Sequence, residues 1–155
     1  MPPTANELAG VVDLFGALTD AELERAVAEL DARGGREPTD AAALEAVVDD
    51  ARERFVLLEC DLDGQPGVTV GPTAFPERPA HAEDLPHILE IEYREIDPEA
   101  LESQVRERFD AAVERACEEG DGPRARTLLD VSYDLEAWAP LDLSGRRSRL
   151  EPVIE

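Results

Sequence analysis

Lysine is absent from the sequence, and all fifteen basic residues are arginine, against 37 aspartates and glutamates. The formal charge is −22 over 155 residues. At moderate ionic strength so much negative charge repels itself and opposes folding, whereas molar salt shortens the Debye length to about 3 Å and screens that repulsion. The acids are spread along the chain, which favours adaptation to a salt-rich solvent over an acidic mimic of nucleic acid. We therefore expect a halophilic protein.

Cysteine and long apolar runs are also scarce. Cys60 and Cys117 belong to no CxxC pair, so neither a disulfide framework nor a thiol redox motif is indicated, and we expect two buried, reduced thiols. No apolar run approaches the ~18 residues of a membrane span, and the N-terminal MPPT lacks a signal-peptide core. We therefore expect a soluble, cytoplasmic protein with no membrane partner. We expect it to be folded, because its 43% of hydrophobic residues recur at regular spacings.

Three helices are predicted first. Their N-caps are Asn6, then Thr19 in a capping box with Glu22, then Thr39 or Asp40. Apolar residues at helical spacing define the inward faces, namely Leu8, Val11, Val12, Phe15 and Leu18, then Leu23, Ala26, Val27 and Leu30, then Leu44, Val47, Val48 and Ala51.

From Phe55 the apolar period changes to two, and Asp63-Gly64 predicts the turn of a β-hairpin, with no strand before it. Repeated prolines make residues 72–87 a linker without a regular helix or central strand. Alternation over Leu89–Tyr93 then predicts a further strand that adds to the hairpin.

The last part of the chain is predicted to be helical. Asp97-Pro98 opens a long helix that Gly120 ends, Pro123 starts a second, and Ser144 caps a short arginine-rich turn or helix. The expected fold class is α+β and mostly helical. We expect an N-terminal unit 1–71, the proline-rich linker 72–87 and a helical C-terminal unit 88–155, packed as one globule.

The order of three helices and a hairpin over residues 6–71 resembles a winged-helix domain. In this resemblance Asp40–Arg54 takes the recognition-helix position and Asp61–Gly67 the wing. The resemblance implies DNA binding, but this helix offers only Arg52 and Arg54 to phosphate. Its acidic residues are Asp40, Glu45, Asp49, Asp50 and Glu53.

Three segments, ELAGVVDLFGALT, EDLPHILEIE and LLDVSYDLEAW, carry a second resemblance. Through them the chain is similar, over nearly its full length, to an uncharacterised family of small acidic proteins from halophilic archaea. The resemblance implies an intracellular haloarchaeal protein and supplies no catalytic or binding residues.

The sequence contains three candidate sites. A zinc site would use His81, His87, Glu83 and Asp84 with Cys60 or Cys117, but the spacing matches no zinc arrangement and favours a polar loop. The run DLDG over residues 61–64 lacks the later ligands of a calcium loop, which favours a hairpin turn. The cationic run RRSR over residues 146–149, with Arg124 and Arg126, could dock a polyanion, but pairing with the chain's own carboxylates is favoured.

Signatures of nucleophilic, nucleotide-dependent or dinucleotide-dependent catalysis are missing, and Tyr133 and Trp138 lie on an apolar stripe that predicts core packing. We therefore expect no catalytic, cofactor or metal site, and a non-catalytic protein-interaction or regulatory module. One alternative is a winged-helix transcription regulator with a cationic face built from Arg25, Arg33, Arg36, Arg52 and Arg54. The other is an unrecognised enzyme with a deep polar pocket.

Overall fold

Capped helices make up most of the chain in the computed structural model, which describes residues 2–155. The fold is α+β and mostly helical, as the sequence predicts. A 3-10 turn covers Ala82–Asp84. The elements are α1 (Ala5–Phe15), β1 (Ala17–Thr19), α2 (Asp20–Arg33), α3 (Ala41–Glu53), β2 (Leu57–Leu62), β3 (Gln65–Val70), α4 (Leu85–Leu89), α5 (Pro98–Glu119), α6 (Gly122–Trp138) and α7 (Ser144–Ile154).

Two of the three caps predicted for the first three helices are confirmed. The Thr19 hydroxyl accepts from the Glu22 backbone N–H at 3.1 Å, and Glu22 Oε1 accepts from the Thr19 N–H at 2.9 Å, which completes the capping box of α2. Asp40 caps α3 by accepting from the Ala43 N–H at 2.7 Å. Both caps satisfy backbone donors that a helix start otherwise leaves unpaired.

The predicted cap at Asn6 is wrong, because Thr4 and Glu7 form a capping box two residues earlier. Asn6 lies inside α1, where its side-chain Oδ1 accepts from the Phe75 N–H at 3.2 Å and its carbonyl accepts from the Glu77 N–H at 3.0 Å. It therefore holds a distant loop against α1.

The structure has a short strand before the hairpin that the sequence does not predict, and Leu18 belongs to this strand rather than to the first helix. The chain leaves α1 at Gly16, whose φ of 77° favours glycine. A Cβ at that position would lie 1.8 Å from the Arg94 carbonyl oxygen. Leu18 then pairs with Val68, so β1 adds to β3 and the antiparallel sheet has the order β1-β3-β2. Three buried residues are too short a run to show a period of two.

The hairpin prediction is confirmed. Leu62 pairs with Gln65 across a two-residue turn in which Asp63 and Gly64 have φ of 54° and 86°. Positive φ at both central residues is the type I′ geometry that matches the twist of paired strands. Asp61 Oδ1 accepts from the Gly64 N–H at 2.8 Å and fixes the turn.

The strand predicted over Leu89–Tyr93 is wrong. Leu85 and Leu89 lie one helical turn apart on α4 and pack against the apolar core that includes Phe15 and Leu57. Glu90, with φ of 55°, ends that helix. Pro86 lies in the first turn of α4, where its missing N–H costs no hydrogen bond. A helix thus begins inside the proline-rich segment 72–87, contrary to the expectation that no regular helix forms there.

The described chain falls into two compact units, with the change between Ile96 and Asp97. In the first unit, α1, α2, α3 and the sheet enclose one apolar core that includes Phe15, Leu18 and Leu57. In the second unit, α5, α6 and α7 pack on one another around residues that include Phe109 and Leu128. The predicted Asp97 cap and Gly120 end of α5 are confirmed. The arginine-rich segment forms the 11-residue helix α7, but the predicted Ser144 cap is wrong, because Ser144 is the first residue of that helix and follows Leu143 at the cap position.

Candidate functional site

A groove lies between α2 and α3 in the first unit. Its volume is about 220 Å³. Leu23 of α2 and Leu44 and Val48 of α3 form an apolar floor, to which Ala41 adds a methyl group. Four carboxylates and one guanidinium form the rim, and these belong to Asp20, Glu24, Glu45, Asp49 and Arg52.

The connection between α2 and α3 is ordered by a buried carboxylate, Asp31, which is only 1% exposed. Its Oδ2 accepts from the Thr39 N–H at 2.9 Å, and its Oδ1 lies 3.4 Å from a guanidinium nitrogen of Arg36. The Arg36 N–H also donates to the Asp31 carbonyl at 2.9 Å. Sequence reasoning missed Asp31, although it lies one turn after Val27 on the inward face of α2.

Arg52, on α3, faces the chain's own acids. Its guanidinium lies 3.1 Å from Glu59, 3.8 Å from Asp49 and 4.0 Å from Asp20. The Arg52 charge is therefore paired with carboxylates of the same unit.

The rim carboxylates Glu24 and Glu45 differ from Asp20 and Asp49, because in residues 2–155 neither has an ion-pair partner. Both side chains are exposed. The groove thus presents uncompensated negative charge from both of its helices.

The arginines of the hypothetical DNA-facing surface are mostly paired internally. Besides Arg52, these pairs are Arg33 with Glu29 at 2.9 Å, Arg36 with Asp31 at 3.4 Å and Arg54 with Asp50 at 2.9 Å. Arg25 is exposed and has no ion-pair partner within the described residues. The wing position carries exposed Asp61 and Asp63 and no arginine.

The arginines of the run at residues 146–149 pair with the chain's own carboxylates, which confirms the favoured interpretation for that run. Arg124 and Arg126 have no ion-pair partner in residues 2–155, so the interpretation does not extend to them. Arg146 makes two hydrogen bonds to Asp110, at 2.8 and 3.1 Å. Arg147 donates to Glu136 at 2.9 Å, and Arg149 to Glu114 at 3.3 Å. Of the associated arginines, Arg126 is exposed and Arg124 half-buried.

Tyr133 is not a core residue, contrary to prediction, since it is 57% exposed. The Arg147 guanidinium lies over its ring, 4.5 Å from the centroid. The hydrogen bond from Arg147, followed by that from the Leu143 N–H, lowers the pKa of Glu136 from its ordinary value. Trp138 is half-buried. These contacts tie α7 to α6.

The residues weighed as metal ligands are exposed or lie apart in the fold. His81 and His87 are exposed, and within residues 2–155 no three His, Cys, Asp or Glu side chains are grouped as a metal would require. The free thiols Cys60 and Cys117 lie in different units and are half-buried rather than buried as expected. Burial, followed by the nearby Asp20 charge, raises the pKa of Cys60.

A second ion pair missed in the sequence joins Glu22 to Arg94. Arg94 Nη1 donates to Glu22 Oε1 at 2.6 Å and to the Ala17 carbonyl at 3.2 Å. The Arg94 hydrogen bond lowers the pKa of Glu22, as do the weaker contacts with Thr19. The two residues are 72 apart in sequence, so no local pattern could pair them.

Comparison with known proteins places the chain in a family. A family model described as a family of unknown function, DUF7109, matches residues 6–155. The chain belongs to DUF7109. No curated protein and no solved structure matches it. Across residues 2–155, none of the helices combines the length and apolar character required to cross a bilayer.

Proposed function

We propose that this DUF7109 chain is a non-catalytic protein-interaction or regulatory module of a haloarchaeal cytoplasm. The observation that carries the proposal is the α2–α3 groove, in which half-buried Val48 and exposed Ala41 lie over the buried Leu23 and Leu44 between two acidic helices. Apolar contact retains its strength in molar salt, whereas long-range attraction to a charged partner is screened. A surface of this kind suits association in the solvent that the net charge of −22 indicates.

A winged-helix DNA-binding regulator is the second candidate. The order α1-β1-α2-α3-β2-β3 with sheet order β1-β3-β2 supports the winged-helix resemblance. In that resemblance α3 would enter the major groove.

Electrostatics disfavour this second candidate. A protein that makes 6 to 10 phosphate contacts loses roughly 10³ to 10⁵ in affinity between 50 and 200 mM salt, and molar salt erodes binding further. Arg52 and Arg54 already pair with acids of the same unit, and α3 also carries exposed Glu45 and Glu53. Phosphates would therefore meet like charge, and we infer that α3 serves a protein contact.

Genomic footprinting and in-cell protein crosslinking in the native host test the two candidates together. We expect a reproducible protein partner and no sharp DNA sites. The Arg52→Glu/Arg54→Glu double variant should leave the footprint unchanged. Sharp sites that disappear in this double variant, but persist in an Arg106→Glu/Arg115→Glu control in the second unit, would establish DNA binding and overturn the proposal.

A further inference from the structure

We propose that the α2–α3 groove binds a basic amphipathic segment of a partner protein, with an apolar side chain on the floor and arginine or lysine side chains at the rim. This inference rests on the proposed protein-interaction function. It adds the binding surface and the chemistry of the partner.

The size of the groove favours a side-chain anchor. At about 220 Å³ it is smaller than the ~300–1,000 Å³ of pockets that enclose small-molecule ligands. Leu44 is buried and Val48 half-buried one turn further along α3, so the floor is a short apolar strip along the helix. An aliphatic side chain from an amphipathic helix matches such a strip, as in other helix-in-groove complexes.

The charge of the rim selects the partner. Glu24 and Glu45 lie on the two facing helices without intramolecular partners in residues 2–155, whereas Arg52 is occupied by Glu59, Asp49 and Asp20. A cation of the partner would therefore bind beside Glu24 and Glu45, at hydrogen-bond distance, where added salt screens least. Lysine or arginine meets this requirement. A second copy of the chain, with a charge of −22, would bring further carboxylates instead.

Short helical peptides test the groove directly. The probe carries two leucines one turn apart flanked by arginines. One control peptide replaces the arginines with glutamates, and the other replaces the leucines with serines. Fluorescence anisotropy with the full chain in molar KCl should give saturable binding of the probe, and each control peptide should bind roughly tenfold or more weakly.

Matched protein variants separate the groove from the rest of α3. Glu45→Arg should weaken probe binding about tenfold, whereas Glu53→Arg, the same change at an exposed site outside the groove, should not. Val48→Ala should weaken binding several-fold, whereas Val47→Ala, on the same helix but outside the groove lining, should not. Circular dichroism confirms that each variant folds.

Each alternative result has a distinct meaning. Equal binding of the arginine and glutamate peptides, or equal loss in Glu45→Arg and Glu53→Arg, would overturn the groove assignment. If the partner crosslinked in cells is retained by both Glu45→Arg and Val48→Ala, the interaction function stands and the groove assignment fails. If no partner is crosslinked and DNA sites are found, the proposed function fails. Self-association that Glu45→Arg enhances would identify a second copy as the occupant and overturn the inference.

Discussion

Glu22 combines two structural tasks in one carboxylate. It completes the capping box of α2 and receives the guanidinium of Arg94, with a side chain that is only 19% exposed. The hydrogen bond from Arg94 lowers its pKa below the ordinary value of 4.5. A carboxyl group whose pKa is lowered on folding stabilises the fold above its unfolded-state pKa, and that contribution is lost as the pH falls through its folded-state pKa.

Glu22→Gln should therefore reduce the free energy of unfolding by about 1–2 kcal/mol at pH 7, because the amide oxygen still accepts a hydrogen bond but loses the charge that makes such a bond worth about 1.5–3 kcal/mol. The difference between variant and wild type should shrink as the pH falls through the lowered pKa of Glu22, where the folded wild-type carboxyl becomes protonated. Urea unfolding of both proteins across a pH series in molar KCl measures this difference in unfolding free energy. Glu24→Gln, which removes an exposed charge on the same helix, should change stability by less than about 0.5 kcal/mol. A pH-independent difference would contradict the assigned cause.

Asp31 provides a second test at the residue scale. Asp31→Ala removes the acceptor of the Thr39 N–H and the carboxylate that faces Arg36, and it should cost about 2 kcal/mol of unfolding free energy. Asp50→Ala, which removes the exposed partner of Arg54, should cost less than about 0.5 kcal/mol. Chemical denaturation compares the two. Equal costs would show that burial of Asp31 adds nothing to its contacts.

At the scale of elements, the fit of a loop against α1 depends on a glycine in the helix. A Cβ at Gly10 would lie 2.0 Å from the carbonyl oxygen of Glu77. The loop is held at this distance by the Glu77 N–H, which donates to the Asn6 carbonyl. Glycine has a lower helix propensity than alanine, but its missing side chain lets the backbone of α1 approach the backbone of the loop closely.

Gly10→Ala should destabilise the chain by about 1–3 kcal/mol, although alanine favours helix, because the overpacked contact must open. Gly145→Ala, in a helix where an added Cβ meets nothing within 4 Å, should instead be neutral or stabilise by up to about 1 kcal/mol. Thermal unfolding of the two variants gives the comparison. A stabilising Gly10→Ala would refute the close loop contact.

At the scale of the whole molecule, charge controls the response to solvent. Even if every arginine is paired, 22 carboxylates remain uncompensated, because 37 acids face 15 arginines. We expect the free energy of unfolding to rise from low to molar KCl, as a circular dichroism series would measure. Equal stability in dilute buffer would contradict halophilic adaptation.

A charge-reduced variant isolates the electrostatic cause. Replacing the exposed Glu37, Glu53 and Glu118 with glutamine changes the formal charge from −22 to −19, since three charges are removed. Its stability should depend less on KCl than that of the wild type. An unchanged salt response would assign the effect to hydration of apolar surface rather than to charge repulsion.

The sequence by itself determined the features that depend on neighbouring residues. Helix periodicity, the Thr19 and Asp40 caps, the Asp63-Gly64 turn and the excess of acids are local, and each was readable because its physical cause lies within a few residues. The acidic character of α3 was readable for the same reason.

Only the tertiary structure decided the features that join distant segments. β1 became a strand because β3 lies beside it, and the alternating Leu89–Tyr93 segment did not become one because Leu85 and Leu89 pack as a helical turn against the core. The groove likewise depends on α2 and α3 meeting side by side, and the freedom of Glu45 is known only once Arg52 is seen to face Glu59. Periodicity identifies which apolar residues share one face of a helix or strand. Pairing in three dimensions determines which charged side chains remain available to a partner.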